Sequence, residues 1–146
     1  MMMNYPIGRP VNILLVDDDD VDAKAVERRF RKERITNPIF RAKDGMEALG
    51  MLRGTAGSRN ISSPYLIISD INMPRMDGIE FIENVRKDPN HQGAIIFVLT
   101  TSRSEEDKFA SYKLNVAGYM VKDNAGEDFL KLVNMIDSYW KVVELP

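Results

Sequence analysis

Apolar and polar positions alternate along this chain in blocks rather than residue by residue. Five short apolar runs stand out: "VNILLV" (Val11–Val16), "PIFRA" (Pro38–Ala42), "YLIIS" (Tyr65–Ser69), "AIIFVLT" (Ala94–Thr100) and "AGYMV" (Ala117–Val121). The first, third and fourth are almost continuously apolar, the pattern of strands covered on both faces in a parallel sheet. "PIFRA" is weaker and begins with proline, which suits a sheet edge. Between the runs, apolar residues recur at helical spacing: Val21, Ala25, Val26 and Phe30, then Ala48, Leu49 and Leu52, then Phe81, Ile82 and Val85. Phe109 and Tyr112 fall on a fourth helix; Phe129, Leu132, Val133, Ile136 and Trp140 mark a fifth and longest one. Asp44 before "GMEAL", Asp77 before "GIEFI" and Ser104 opening "SEED" are helix-start signals, since a short polar side chain there accepts from unpaired first-turn amides. Five strand–helix alternations predict a doubly wound α/β domain with a five-stranded parallel sheet and right-handed crossovers.

The length, 146 residues, suits one domain with a real core. Residues 1–10 read as a loose arm and 11–146 as a single domain, with no segment large enough for an output domain. "RGTAGSRNISSP" (Arg53–Pro64) reads as a mobile loop. The net charge of −2 gives no basic footprint for nucleic acid or anionic lipid. No cysteine is present, which excludes disulfides and thiolate chemistry. No apolar run is long enough to span a membrane, and the start lacks a signal-peptide pattern, so the cytoplasm is the expected compartment.

In a parallel α/β sheet, ligands bind beyond the carboxyl ends of the strands. Here the first run ends in Asp17-Asp18, the third in Asp70, the fourth in Thr100-Thr101 and the fifth in Lys122. Neighbouring strands lie about 4.8 Å apart, so these groups converge on one pocket. Carboxylates crowded in this way raise one another's pKa unless a cation intervenes, and Mg²⁺ takes a few carboxylates together with water and phosphate oxygens. A metal on one side and Lys122 on the other suit a phosphoryl group, with Asp70 between them as nucleophile for an aspartyl phosphate.

"LLVDDDD", "DGMEAL", "LIISDINMPRMDG", "FVLTTS" and "GYMVKD" resemble, in order and separation, the motifs of response-regulator receiver domains of two-component signalling. The resemblance runs from about Val11 to Trp140 and implies a flavodoxin-like (βα)5 fold with strand order 2-1-3-4-5. It implies that Asp70 is the phosphoacceptor and a metal ligand, and that Asp18 binds Mg²⁺ directly while Asp17 acts through a metal-bound water. Asn72 would offer its backbone carbonyl to the metal, and Lys122 would contact the phosphoryl oxygens. Thr100 and Tyr119 would form the switch. The expected phosphodonor is a sensor histidine kinase, with a downstream or phosphotransfer protein as a further partner. The long loop before the third strand and the "YWKVV" tail are similar to single-domain regulators of phytochrome-type histidine kinases. Two positions depart from the family pattern: Asp123 stands where proline is usual after the lysine, and Thr101 where a smaller residue is common.

Other residues have plainer readings. Asp19, Asp20 and Asp22 suit a helix start, where acidic groups cap amides and meet the positive end of the dipole. Gly78 reads as a backbone accommodation near the third helix. His91, the only histidine, reads as a surface-loop residue. Phe109, Tyr112, Tyr139 and Trp140 read as core before interface, with homodimerisation through the last two helices as the interface alternative.

The leading expectation is a phosphorylation-controlled switch that turns over no metabolite. One rival is a Mg²⁺-dependent phosphohydrolase, but Asn72 stands where such sites commonly carry a second Asp as general acid/base. Another is a pseudo-receiver that binds partners without phosphorylation, although no acidic ligand, acceptor or lysine is lost here. A flavodoxin-type cofactor binder lacks its phosphate loop after the first strand.

Overall fold

The computed structural model describes residues 11–55, 57, 59–122, 131, 134 and 135. Five strands alternate with helices: β1 (Asn12–Val16), α1 (Asp20–Lys32), β2 (Ile39–Ala42), α2 (Gly45–Arg53), β3 (Tyr65–Ser69), α3 (Gly78–Lys87), β4 (Ile95–Thr100), α4 (Glu105–Lys113) and β5 (Gly118–Val121). All pairings are parallel, in the order β2-β1-β3-β4-β5. The proline-headed run does form an edge strand, where the missing amide donor costs no ladder bond. Of the expected fifth helix only residues 131, 134 and 135 are described, and these are helical; Phe129, Leu132, Val133, Ile136 and Trp140 lie outside the described residues, as do the first ten residues and Asp123.

The continuous apolar runs are explained by two cores, one on each face of the sheet. Leu14, Val16, Ile67, Ile96 and Val98 point to one face and pack with Leu49 and Leu52 of α2 and Phe81, Ile82 and Val85 of α3. Ile13, Leu15, Leu66, Ile68, Phe97 and Leu99 point to the other and pack with Ala23, Val26 and Phe30 of α1. Since side chains alternate across a strand, only a strand buried on both sides can be apolar at every position.

Two apolar assignments from periodicity are corrected. Val21 is 73% exposed and Ala25 is also outside the core, whereas Ala23 is buried in their place. The face of α1 turned inward is therefore 23, 26 and 30, which is the i, i+3, i+7 stripe that periodicity permits equally well. Phe109 is 68% exposed and Tyr112 47%, so neither belongs to the core. The fourth helix buries Ser111 instead, and its hydroxyl is satisfied by the Asp107 carbonyl at 2.8 Å.

Each helix from α1 to α4 begins at a side-chain cap. Asp19, Asp44, Asp77 and Ser104 accept from the amides of Asp22, Glu47, Glu80 and Asp107 respectively. The loop before β3 is anchored by Ile61, which is buried and donates its amide to the Met51 carbonyl. At the opposite end of the sheet from the acidic residues, Arg86 donates to the carbonyls of Gln92, Ala94, Leu114 and Asn115, tying the loops before β4 and β5 to α3.

Candidate functional site

Strand pairing sets the acidic groups side by side. The β1–β3 ladder is continued by the Asp70 amide donating to the Val16 carbonyl at 2.8 Å, and β1–β2 by the Asp17 amide donating to the Ala42 carbonyl at 3.0 Å. Asp17 and Asp70 thus stand at neighbouring strand tips, with Asp18 one step further along the first. One carboxylate oxygen from each of Asp17, Asp18 and Asp70 falls within 4.8 Å of the others. Asp17 and Asp70 are buried and Asp18 is exposed.

Lys122, just past β5, reaches over this group. Its Nζ donates to Asp17 Oδ2 at 2.7 Å, Asp70 Oδ2 at 2.9 Å and Asp22 Oδ2 at 2.9 Å. An ammonium has three protons, so all its donors are used. Burial opposes the charge, but the bonds to three carboxylates outweigh it and hold Lys122 well above the usual lysine range. Burial pushes Asp17 up despite its bonds to Lys122 and to the Asp19 amide. One ammonium shared among several carboxylates leaves a negative excess, and a second cation fits that excess. Among the described residues none donates to the Asp18 carboxylate, which leaves it available as a ligand. Three convergent oxygen ligands with an exposed face fit a hard divalent ion.

Asp70 is further fixed by its own neighbours. Its Oδ1 accepts from the Ile71 amide at 2.7 Å. Gly78 packs directly behind it: a Cβ there would lie 2.0 Å from the Asp70 carbonyl oxygen, and the Gly78 amide donates to the Ile71 carbonyl at 2.7 Å. Asn72 is two residues beyond Asp70 in the exposed β3–α3 loop. Across that loop, Arg75 pairs with the buried α2 cap Asp44 at 2.6 Å, bracing the rim of the site.

The hydroxyl residues form a second, linked group. Thr100 is fully buried at the tip of β4, and its Oγ1 accepts from the Ser102 amide at 3.2 Å. The Tyr119 hydroxyl donates to the Ser102 carbonyl at 3.0 Å. Ser102 Oγ donates to Asp107 of α4 at 2.6 Å. Ser102 therefore joins Thr100, Tyr119 and α4, and it was not singled out from sequence because an isolated serine after a strand carries no signal. Burial raises the Tyr119 hydroxyl pKa, so it stays a donor at neutral pH.

Asp22, which in the sequence reads as a helix-start residue alone, belongs to the site as well. Its amide is capped by Asp19, but its side chain leans back over the strand end to Lys122. The tilt of helical side chains toward the N-terminus was the available signal. Asp19 and Asp20 keep their plain roles, as a cap and as an ion-pair partner of Arg41 at 2.7 Å. His91 sits in a loop but is half-buried, with Nδ1 2.8 Å from the Tyr65 hydroxyl.

Comparison with known proteins gives a single answer. Residues 13–134 match the response regulator receiver domain. The chain is 34% identical over 138 residues to the response regulator Rcp1 of Synechocystis, covering 94% of both proteins. The solved structure of phosphorylated RcpA, a cyanobacterial phytochrome response regulator, superposes with a TM-score of 0.82 at 31% identity, covering 94% of this chain and 99% of that one. The Mn²⁺-bound form of Rcp1 gives 0.80 at 34% identity, covering 94% and 99%.

Proposed function

From the premise that this chain belongs to the response regulator receiver family, we propose that it accepts a phosphoryl group on Asp70 from a sensor histidine kinase, with Mg²⁺ as cofactor. The observation that carries the reading is the convergence of Asp70 with Asp17 and Asp18, with the Lys122 ammonium donating to Asp70 at 2.9 Å. Asp18, Asp70 and the Asn72 carbonyl would hold Mg²⁺, with Asp17 acting through a metal-bound water, and the ion would supply positive charge to offset the phosphoryl oxygens.

An Asp70 carboxylate oxygen attacks phosphorus, the O–P bond forms, and the N–P bond of a phosphohistidine breaks. The imidazole leaves with the electron pair and is protonated. Lys122 gives up its bond to Asp70 Oδ2 and donates instead to a phosphoryl oxygen, which places its charge where negative charge accumulates. The Ile71 amide holds the carboxylate plane through this change. Loss of the phosphoryl group to water restores the carboxylate, and Asn72 offers no general base to hasten it. The chemistry is confined to the protein's own phosphorylation and dephosphorylation.

The phosphoryl group is read out through Thr100. When its hydroxyl turns to a phosphoryl oxygen it leaves the Ser102 amide, and Ser102 also carries the carbonyl that holds Tyr119 and the hydroxyl that holds Asp107. One lost bond thus loosens a joint shared by Tyr119 and α4, and biases the surface that bears Phe109 and Tyr112 toward a downstream protein. The similarity to RcpA, a phytochrome response regulator, supports a phytochrome-type kinase as donor.

Intact-mass spectrometry after incubation with acetyl phosphate tests this reading. One Mg²⁺-dependent, hydroxylamine-labile phosphoryl group is expected on the wild type and none on Asp70→Asn. Absence of the adduct at short times, with Mg²⁺ binding verified, would instead favour a binding module that works unphosphorylated.

A further inference from the structure

Asp22 is exposed enough to be solvated, yet it turns its carboxylate inward to a lysine 100 positions away in sequence. Its own side chain is not needed as a helix cap, because Asp19 fills that place. The Lys122 stem ends among three acceptors: Asp17, Asp70 and, from the first turn of α1, Asp22. Of these, Asp70 is the one that phosphorylation must take away.

We propose that Asp22 is a positioning residue for phosphoryl transfer, holding the Lys122 ammonium in place while its third hydrogen bond shifts from Asp70 to the incoming phosphoryl group. The inference rests on the reading of Asp70 as phosphoacceptor. With Asp17 and Asp22 both retained, two of three hydrogen bonds persist through the change, so the ammonium pivots rather than searches. Without Asp22, a single charged bond to Asp17 remains on a side chain with four rotatable bonds. The released proton donor then turns to water, and the ammonium reaches the phosphoryl oxygens in only a fraction of encounters.

A rival effect has the opposite sign. Removing a carboxylate makes the site less negative and favours an anionic donor. Asp22 is well hydrated, its side chain 39% exposed, so solvent and salt screen this long-range term. The direct bond to a side chain only 11% exposed is screened less. Misplacing a reacting group by about 1 Å can cost on the order of a hundredfold; with Asp17 still holding the ammonium, a loss of about tenfold is the fair expectation.

Two measurements on wild type, Asp22→Ala and Asp22→Asn test the proposal. The first is the solvent exchange rate of the Lys122 Nζ protons by ¹⁵N NMR in metal-free protein. The second is the rate constant for phosphorylation by phosphoramidate with Mg²⁺. Asp22→Ala should exchange several-fold faster and be phosphorylated about tenfold more slowly, whereas Asp22→Asn, which keeps an acceptor of the same shape, should recover most of both. Equal exchange in all three proteins overturns the hold on Lys122. Faster exchange in Asp22→Ala with undiminished phosphorylation overturns its part in the transfer. If the wild type itself takes no phosphoryl group, the reading of Asp70 falls and the transfer role with it, while the exchange data still decide the contact.

Discussion

Gly78→Ala places a methyl group into the backbone that carries the acceptor. The added Cβ would stand 2.0 Å from the Asp70 carbonyl oxygen, 2.7 Å from Ile71 Cα and 2.9 Å from the Asp70 carbonyl carbon. Comfortable heavy-atom contacts lie at about 3.5 Å, so α3 and the β3 tip must part by more than 1 Å. Neither can yield by rotating a side chain, since the obstacles are main-chain atoms. Overpacking of this kind costs about 1–3 kcal/mol. Parting the two also breaks the 2.7 Å bond from the Gly78 amide to the Ile71 carbonyl, worth about 1 kcal/mol net. The expected loss is therefore about 3 kcal/mol, or roughly 10 °C in Tm for a chain of this size. The same shift moves Asp70 away from Asp17 and Lys122, so phosphorylation by acetyl phosphate should fall on the order of a hundredfold. Gly118→Ala is the control: its Cβ would meet only the Phe97 ring edge at 3.2 Å, and should cost under about 1 kcal/mol. Urea melts and phosphorylation time courses on both variants decide the matter. A Gly78→Ala protein within 1 kcal/mol of wild type and phosphorylated at the wild-type rate would refute the claim that this contact sets the acceptor's position.

Asp17→Asn tests the crowding of the acidic group. Because burial raises the Asp17 pKa in the fold, its stabilising share is complete below the unfolded carboxylate value and is lost as pH rises through the folded one. Metal-free wild type should therefore lose stability from about pH 4 upward, and Asp17→Asn should flatten that decline while gaining less from Mg²⁺. Equal pH profiles in circular-dichroism melts would count against it. The exposed Phe109 and Tyr112 on α4 predict self-association that responds to phosphorylation. Sedimentation with and without an acyl-phosphate mimic should show it, reduced in Phe109→Ala, and a strict monomer in both states would sink it.

The order of elements from β1 to β5, the helix starts and the doubly buried strands were all legible in the sequence, because each rests on local chemistry. A short polar side chain at a helix start, or an unbroken apolar run, has few alternative readings. The convergence of Asp17, Asp18, Asp70 and Lys122 was legible as well, since parallel strands deliver their C-terminal residues to one edge whatever the details of packing. Their chain positions alone place them together.

Only the tertiary structure decided which face of a helix turns inward and which polar groups touch. Val21 and Ala23 satisfy helical periodicity equally well, and the choice between them depends on the sheet beneath. Phe109 is apolar, but α4 meets the domain through Ser111. Asp22 looks like one more acid at a helix start until α1 is docked over Lys122, and Ser102 means nothing until Tyr119 arrives from β5. Such contacts join residues far apart in sequence, and their energies depend on distances of an ångström or less. Periodicity and composition carry no information at that scale; the packing of α1 and β5 against the same strand ends does.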